Sequence, residues 1–504
     1  MKTNFDVLII GAGIAGLSQA IALTEKVVSL SIAIVSKSAL KETNTRYAQG
    51  GIAAVMSTQS DSYLAHIEDT LNASQHKADK EVVSFVVENA HKGIHQLENW
   101  GVRFDQVQND YHLGLEGGHS QARILHVKDQ TGAAVHDELI KQLEHHNTIS
   151  VLEYCEVVEL LLNANGEAAG AWIYNYAEKA TTKINSKTIV LATGGMGQLF
   201  QYTTNSPIAT GDGIVLASTL GAKIANLHSI QFHPTAFREL GKSKLFLISE
   251  AVRGAGAHII NEKGERFLFK YDLRGELATR DVISSAIYQE IKTSGNDGVY
   301  LDCRHISKEL LAHEFPYIIE NCKEGGYDLT IQPIPITPAA HYSCGGIQVN
   351  MQGESSIPNL YAIGECANTG LHGNNRLASN SLLEAIVFTR NVANHIQNNV
   401  ANLVYHPTET AKQTELSNEE PDFFKAETDV LKALLTAYFI SKSENDKADL
   451  IEMVTYFKEQ LSNIYSNELS ELHFRWKLEL VEMLLQNDSL NVEVSPVDEH
   501  KLQW

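Results

Sequence analysis

The sequence predicts an α/β fold, in which a Rossmann-like domain is interrupted by an inserted α+β domain and followed by a C-terminal helical bundle. Three observations support this prediction. The chain opens with a buried strand, a glycine-rich turn, a helix and a second strand over residues 5–35. Apolar strands at 188–192 and 360–363 also end in glycine-containing turns, which suits strands buried on both faces of a parallel sheet. Amphipathic segments rich in Glu, Lys and Leu follow residue 410, which indicates the bundle.

A change of character between residues 227 and 341 marks the insertion. This part holds an amphipathic helix, predicted to end near Ile291, and a proline-rich extended run. The predicted segments are 1–226 (first part of the Rossmann-like domain), 227–341 (inserted domain), 342–409 (second part of the Rossmann-like domain) and 410–504 (helical domain). A fold split in this way leaves a cleft between two bodies, which is a usual place for chemistry.

The first turn carries the dinucleotide fingerprint Gly-x-Gly-x-x-Gly at residues 11–16, between a strand and a helix. Gly11 permits the tight turn, Gly13 lets the backbone approach a pyrophosphate, and Gly16 allows close packing of helix on strand. The second strand leads to Lys37 without an acidic residue that would bind a ribose. A standard NAD site therefore fits poorly, and we expect the nucleotide to be held in another way.

Composition excludes several classes of partner. The chain has 61 acidic and 40 basic residues, a net charge of −21, which disfavours nucleic acid and anionic membranes. An anionic substrate must therefore be bound by a local cluster of Arg and His. The five cysteines form no CxxC pair, so we expect reduced thiols and no bound metal. We find no signal peptide and no run of 18 apolar residues, and we expect a cytoplasmic protein.

Polar residues accumulate on the loops that border the predicted cleft. They are Glu116, His233, Ser249, Glu250, Arg280, His341 and Arg376. Two Arg and two His on separate loops suit a small dicarboxylate, because each Arg can hold one carboxylate through two hydrogen bonds. Each residue also has an ordinary structural explanation, such as a surface ion pair between Arg280 and Asp281. The prediction therefore depends on their joint occurrence.

Together these motifs resemble the succinate dehydrogenase/fumarate reductase flavoprotein family over residues 5–395. Besides the glycine turn, the resemblance is carried by Tyr-Ala-Gln-Gly-Gly-Ile (47–52), Glu-Gly-Gly-His-Ser (116–120), Ala-Thr-Gly-Gly (192–195), Thr-Gly-Asp-Gly (210–213), Gln-Phe-His-Pro-Thr (231–235), Arg-Gly-Glu-Leu-Ala-Thr-Arg-Asp (274–281), Pro-Ala-Ala-His-Tyr-Ser-Cys-Gly-Gly (338–346) and Asn-Arg-Leu-Ala-Ser-Asn-Ser-Leu (375–382). It implies an FAD-binding domain with an inserted capping domain. The Ser-Lys ending of the second strand is also similar to this family, which implies FAD rather than NAD.

The resemblance implies FAD contacts from several parts of the chain. They are Gly11, Ala12, Gly13, Ile14, Ala15, Gly16, Lys37, Asn44, Thr45, Arg46, Tyr47, Ala48, Gln49, Gly50, Gly51, Asp212, Glu365, Ser381 and Leu382. FAD should be non-covalent, because Asn44 stands where succinate dehydrogenases carry FAD on a histidine. Glu365 follows a strand end and should meet the ribityl hydroxyls. We also expect Asp212 to cap the helix that it begins.

Two features, Asn44 and the loop around Glu116, are similar to the branch of this family that oxidises L-aspartate. The resemblance implies that Glu116 meets the α-ammonium of L-aspartate. The residues implied to hold its two carboxylates are His233, Ser249, Arg280, His341 and Arg376. Hydride transfer from C2 to FAD would give iminoaspartate, the precursor of quinolinate in de novo NAD biosynthesis, and O2 or fumarate would reoxidise the flavin. We expect Glu250 and Arg280 to form a proton relay.

Two alternatives stay open at this point. A soluble fumarate reductase-type flavoprotein is the first, and Asn44 and Glu116 argue against it. A non-catalytic flavin-binding or interaction protein is the second, and loss of Arg280 or Arg376 would have been its sign. The sequence leaves undetermined the physiological electron acceptor, the oligomeric state, and whether quinolinate synthase is a partner. The C-terminal bundle lacks the Glu-Ser-Arg-Gly stretch usual in the family.

Overall fold

The computed structural model describes residues 2–25, 29–239, 241–294, 298–399, 404–405, 416–418, 424–462, 464 and 467–486. Its helices are α1 (Ile14–Thr24), α2 (Tyr63–Ala73), α3 (Lys80–Asn99), α4 (Thr131–Leu143), α5 (Asp212–Thr219), α6 (Glu250–Gly254), α7 (Arg280–Ser294), α8 (Lys308–Glu314), α9 (Pro316–Glu324), α10 (Asn380–Asn399), α11 (Lys425–Ser441), α12 (Glu444–Ser462) and α13 (Leu469–Gln486). Its strands are β1 (Asn4–Ile10), β2 (Ile32–Val35), β3 (Ile52–Ala53), β4 (Gln106–Val107), β5 (Asp110–Tyr111), β6 (Leu113–Gly114), β7 (Ile124–Leu125), β8 (Ile149–Leu152), β9 (Cys155–Leu162), β10 (Ala168–Asn175), β11 (Ala180–Leu191), β12 (Ile224–Ala225), β13 (Ile230–Phe237), β14 (Phe246–Leu247), β15 (His258–Asn261), β16 (Val299–Asp302), β17 (Ile334–Ser343), β18 (Gly346–Gln348), β19 (Leu360–Ala362) and β20 (Ala367–Asn368).

A seven-stranded central sheet confirms the predicted α/β class. Six strands follow the order β8-β2-β1-β11-β10-β9, and β19 pairs with β11. β1 is parallel to β2 and β11, and β11 is parallel to β19. These four strands contain the short apolar runs that predicted them, and Val7, Ile34 and Val190 are fully buried. Burial on both faces explains why these strands lack an alternating polar pattern.

The turn after β1 requires glycine at two positions. Gly11 has a φ of +114°, and an added Cβ there would lie 2.1 Å from the carbonyl oxygen of Ala192. At Gly16 an added Cβ would lie 2.0 Å from the carbonyl oxygen of Gly11. Glycine at both positions allows α1 to pack closely on β1, and no larger residue would fit there. The turn therefore reaches the same edge of the sheet as the ends of β11 and β19.

The inserted part forms a second body with its own sheet and core. Five antiparallel strands follow the order β14-β13-β17-β16-β15. Phe237, Ile259 and Ile287 belong to an apolar cluster separate from that of the central sheet. α7 packs against β13, which brings the amino end of α7 to the boundary between the bodies. The domain boundaries at 226/227 and 341/342 remain predictions.

The C-terminal helices α11, α12 and α13 lie where amphipathic helices were predicted. Leu435, Phe474 and Leu480 share one apolar cluster with Leu8 and Ile10 of β1. α13 also contacts α5. The bundle therefore covers one face of the central sheet and supports the segment that follows Thr210-Gly-Asp-Gly.

The expectation that Asp212 caps α5 is wrong. The N-cap position belongs to Gly211, whose φ is +79°, and no side chain accepts a hydrogen bond there. Asp212 is the first residue inside the helix. A side chain at that position does not cap the helix, and the carboxylate of Asp212 instead lies 2.8 Å from Nζ of Lys37.

Three further observations concern the cysteines, membrane-spanning helices and groups of metal-ligating side chains. All five cysteines are buried and free. Within the residues that the structure describes, no helix has both the length and the apolar character needed to cross a membrane. Nor do the described His, Cys, Asp and Glu side chains gather in threes at a place that could hold a metal ion.

Candidate active site

A long cavity runs along the carboxyl edge of the central sheet and encloses about 1060 Å³ of empty space, part of it open to solvent. Its lining includes the turn after β1, segment 43–48, the turn after β11, segment 204–209 and the segment after β19. The register explains this grouping, because Ile10 pairs with Leu191 and Leu191 with Ala362. A crevice at the carboxyl ends of parallel strands is where this type of sheet binds ligands.

Most residues predicted to bind the cofactor line this cavity. They are Gly11, Ala12, Gly13, Ile14, Ala15, Asn44, Thr45, Tyr47, Ala48, Glu365, Ser381 and Leu382. The other predicted residues are not part of its lining. These are Gly16, Lys37, Arg46, Gln49, Gly50, Gly51 and Asp212. Among the latter, Arg46 bonds Asp137 at 2.6 Å, and Gln49 binds the backbone of Leu247 and Ser249.

The amino end of α1 and the loop at 43–48 fit an anionic dinucleotide. α1 begins after Gly13 without a side-chain cap and without an acidic residue in its first turn. Such an end offers backbone N–H groups and a partial positive charge to a pyrophosphate. The Ile14 N–H is bonded to Oγ1 of Thr45 at 2.9 Å, which fixes the loop against the helix.

Glu365 gives the cavity a buried carboxyl group. Its Oε1 accepts a hydrogen bond of 2.9 Å from the Ser343 N–H. Burial raises its pKa to about 7. A carboxyl in this position can accept hydrogen bonds from sugar hydroxyls, as expected for ribityl hydroxyls.

Lys37 lies outside the lining of the cavity and joins three parts of the chain. Its Nζ lies 2.6 Å from Glu156 of β9 and 2.8 Å from Asp212 of α5. Burial by itself would lower the pKa of Lys37, but Asp212 and Glu156 raise it above its ordinary value. Glu156 also accepts hydrogen bonds from Tyr176 and, at 2.9 Å, from His473 of α13. The helical bundle thus reaches the predicted nucleotide site.

A second group of predicted residues lies between the two bodies, and two of them, His341 and Arg376, also line the cavity. Arg280 donates from Nε to Glu250 at 2.7 Å and from Nη1 to Gln231 at 3.0 Å. The rings of His233 and His341 are 5.1 Å apart. The Arg376 guanidinium lies 4.4 Å from the centre of the Tyr342 ring. Ser249 caps the amino end of α6, where its Oγ accepts a hydrogen bond of 3.3 Å from the Ala251 N–H.

This group is short of negative charge. Burial, followed by repulsion from Arg280, lowers the pKa of Arg376 to about 10. Burial and the same cation hold the pKa values of His233 and His341 well below their usual range, so both rings are neutral. Nε of Arg376 and Nε2 of His233 are buried without a hydrogen-bond partner among the described residues. Buried nitrogen atoms without hydrogen-bond partners, next to two arginines that repel each other, indicate that this region binds an anionic ligand.

Glu116 is a buried carboxyl group with no ion pair to the Lys, Arg or His side chains that the structure describes. Its Oε2 accepts a hydrogen bond of 2.6 Å from Ser379, and an added Cβ on Gly50 would lie 2.8 Å from its Oε1. Burial and the negative charge of Glu250 raise its pKa, against the attraction of Arg280 and Arg376. The site therefore combines two arginines, two neutral histidines and one separate carboxyl group.

The structure adds residues that the sequence analysis missed. Arg253 is buried, and its Nη2 lies 3.0 Å from Glu250, three residues earlier on α6. The sequence could have predicted this pair, because side chains three residues apart on a helix lie next to each other. Gln231 receives a bond from Arg280 and donates to the backbone of Arg376. Nothing in the sequence pointed to Ser379 as a functional residue except that it belongs to the 375–382 motif.

The chain is similar to known FAD-binding proteins over most of its length. Residues 6–382 match the family described as FAD binding domain. A protein of Yersinia pestis described as L-aspartate oxidase is 44% identical over 402 residues, which cover 78% of this chain and 74% of that protein. One from Nostoc sp. is 43% identical over 413 residues, 81% of this chain and 70% of that protein.

Solved structures show the same architecture. A chain of E. coli quinol fumarate reductase superposes with a TM-score of 0.85 and 27% identity, over 96% of this chain and 88% of that one. A chain described as Mycobacterium smegmatis Sdh1 superposes with a TM-score of 0.82 and 28% identity, over 96% of this chain and 86% of that one. Fold and site therefore define an FAD-dependent oxidoreductase of the succinate dehydrogenase/fumarate reductase flavoprotein family. Within it, the chain belongs to the L-aspartate oxidases.

Lys37 provides a test of the cofactor site. We expect Lys37→Met to weaken FAD binding about tenfold, because Glu156 and Asp212 would lose their shared cation and leave uncompensated negative charge at a predicted cofactor-binding position. Titration of the apoprotein with FAD, followed by flavin fluorescence, measures the Kd. Lys187→Met is the matched control, since Lys187 is about as exposed and pairs with Asp6 at the other end of β1. Equal Kd values for the two variants would contradict the assignment.

Proposed function

We propose that the protein oxidises L-aspartate to iminoaspartate. The observation that carries this proposal is the charge pattern of the buried site. Arg280 and Arg376 match two carboxylates, and Glu116 matches one ammonium group. Succinate or fumarate alone would leave the buried Glu116 without a partner, which costs binding free energy. Bound FAD supplies the hydride acceptor, and O2 or fumarate reoxidises it.

His233 has a defined tautomer in this site. The backbone N–H of Thr235 donates to Nδ1 of His233 at 3.3 Å. Because the ring is neutral, the ring hydrogen is on Nε2, the atom that lacks a partner. His233 therefore offers one hydrogen bond to a substrate carboxylate. Ser249 and His341 complete the proposed carboxylate pocket, together with Arg280 and Arg376.

Arg280, Glu250 and Arg253 form a continuous buried chain. Arg280 is 2.7 Å from one oxygen of Glu250, and Arg253 is 3.0 Å from the other. Burial alone would raise the pKa of Glu250, but Arg253 and Arg280 hold it below its ordinary value. We assign Arg280 to substrate binding and orientation. Glu250 is the carboxylate of the proposed proton relay that leads away from the substrate.

The proposal places the enzyme in the cytoplasm, at the first step of de novo NAD biosynthesis. Iminoaspartate is an imine and hydrolyses in water, so its consumer must act quickly. Quinolinate synthase is the candidate partner, as the enzyme that converts this product to quinolinate. The electron acceptor is O2 or fumarate, and fumarate has the two carboxylates that the proposed pocket binds.

Anaerobic mixing with substrate tests the proposal. We expect L-aspartate to bleach the flavin absorption band at about 450 nm and fumarate to restore it. Succinate is the control and should leave the band unchanged. Bleaching by succinate, or by neither compound, would contradict the proposal and favour the fumarate reductase-type alternative.

A further inference from the structure

Ser379 joins the segment 51–53 to the loop that carries Glu116. Its Oγ accepts a hydrogen bond of 3.2 Å from the Gly51 N–H and lies 2.6 Å from Oε2 of Glu116. Its carbonyl oxygen accepts a further bond of 3.1 Å from the N–H of Ala53. The residue is buried, just before α10. These three contacts place its hydroxyl between the cofactor-binding and the substrate-binding residues.

The direction of the Ser379 hydrogen follows from its partners. A hydroxyl has one hydrogen, and the Gly51 N–H can act only as a donor. The hydroxyl hydrogen is therefore free for Glu116, which must accept it. A hydrogen bond donated to a carboxylate favours its charged form.

The neighbours of Ser379 hold it in an unusual backbone conformation. Its φ is +59°, in the left-handed region that favours glycine. On one side, His119 bonds the carbonyl oxygen of Ala378 at 2.9 Å. On the other, Asn380 bonds His66 at 3.0 Å and Thr70 at 3.1 Å. The structure thus maintains this conformation through contacts on both sides, and the result is contact with Glu116.

We propose that Ser379 is a positioning residue that keeps Glu116 ionised, and so makes the site selective for a dicarboxylate that carries an ammonium group. This inference rests on the function proposed above. The charged groups that face Glu116 are Glu250, Arg253, Arg280 and Arg376. Burial and Glu250 favour the neutral acid, and Ser379 is the direct hydrogen-bond donor that opposes them.

Ser379→Gly is the variant of choice, because glycine adopts a φ of +59° without strain and the change removes only the short side chain that carries the hydroxyl. We expect the acid limb of kcat/KM for L-aspartate to move up by about one pH unit, the order expected from loss of a hydrogen bond to a charged group. At pH values below the limb, kcat/KM of the variant should be about one tenth of that of the unaltered enzyme, because a shift of one pH unit changes the ionised fraction by that factor. Inhibition by succinate, which has no ammonium, should not weaken.

Two further variants separate this role from a general structural one. Ser120→Gly removes another serine-to-carboxylate bond in the same loop, 2.8 Å to Asp69, and should leave the acid limb in place. In a Glu116→Gln background, Ser379→Gly should produce no shift. An unmoved limb in Ser379→Gly, or a shift that persists in the double variant, overturns the inference. Failure of the unaltered enzyme to oxidise L-aspartate would instead overturn the proposed function.

Discussion

We expect Arg280→Leu to lower kcat/KM for L-aspartate about a thousandfold, the order of loss found when one partner of a buried charge pair is removed. Arg280 is buried, and Glu250 and Gln231 fix its guanidinium through Nε and Nη1. A leucine would leave one substrate carboxylate unpaired and would leave Glu250 with Arg253 alone. Anaerobic flavin bleaching by L-aspartate measures the effect directly.

Arg274→Leu is the matched control for this variant. Arg274 precedes α7 in the same segment, is half exposed, and bonds Asp272 on the surface. Its replacement should change kcat/KM less than twofold, as is usual for surface pairs. Arg280→Lys keeps a cation beside Glu250 and should retain the fold and bound FAD while losing bidentate binding. A loss below tenfold in Arg280→Leu would contradict its role in substrate binding.

Glu116→Gln should lower kcat/KM for L-aspartate about a hundredfold, because the variant removes the charge that we propose pairs with the ammonium while keeping the shape of the side chain. Fumarate reduction with a reduced dye should be retained, since fumarate has no ammonium. The ratio of the two rates in one preparation is the measurement. A parallel loss of both rates would show that Glu116 supports the site in general rather than recognising the ammonium.

The raised pKa of Glu116 also predicts the direction in which kcat/KM changes with pH. Burial and Glu250 raise the pKa of Glu116 above its ordinary value. Below that raised pKa the group is protonated and neutral, so it no longer attracts an ammonium. We therefore expect kcat/KM for L-aspartate to fall as pH decreases through the pKa of Glu116. Glu116→Gln should remove this limb, and survival of the limb in the variant would assign it to another group.

Local patterns predicted the core of the fold correctly. The run before Gly11 is apolar at successive positions, which is typical of a strand buried on both faces, and β1 is such a strand. Gly11 and Gly16 were predicted from spacing, and the contacts that an added Cβ would make explain both. The three C-terminal helices were likewise predicted from their periodicity.

By itself, the sequence determined the class of fold, the fingerprint turn and the residue types of a dicarboxylate site, because these depend on short-range periodicity and on motifs. Only the tertiary structure decided which partners meet. Ser379 and Glu116 are 263 residues apart in the chain, and Lys37 and Asp212 are 175 apart. Such contacts follow from how the sheet edge and the inserted body pack together. No local pattern encodes that packing, so neither the hydrogen bond between Ser379 and Glu116 nor the ion pair between Lys37 and Asp212 was predictable from spacing.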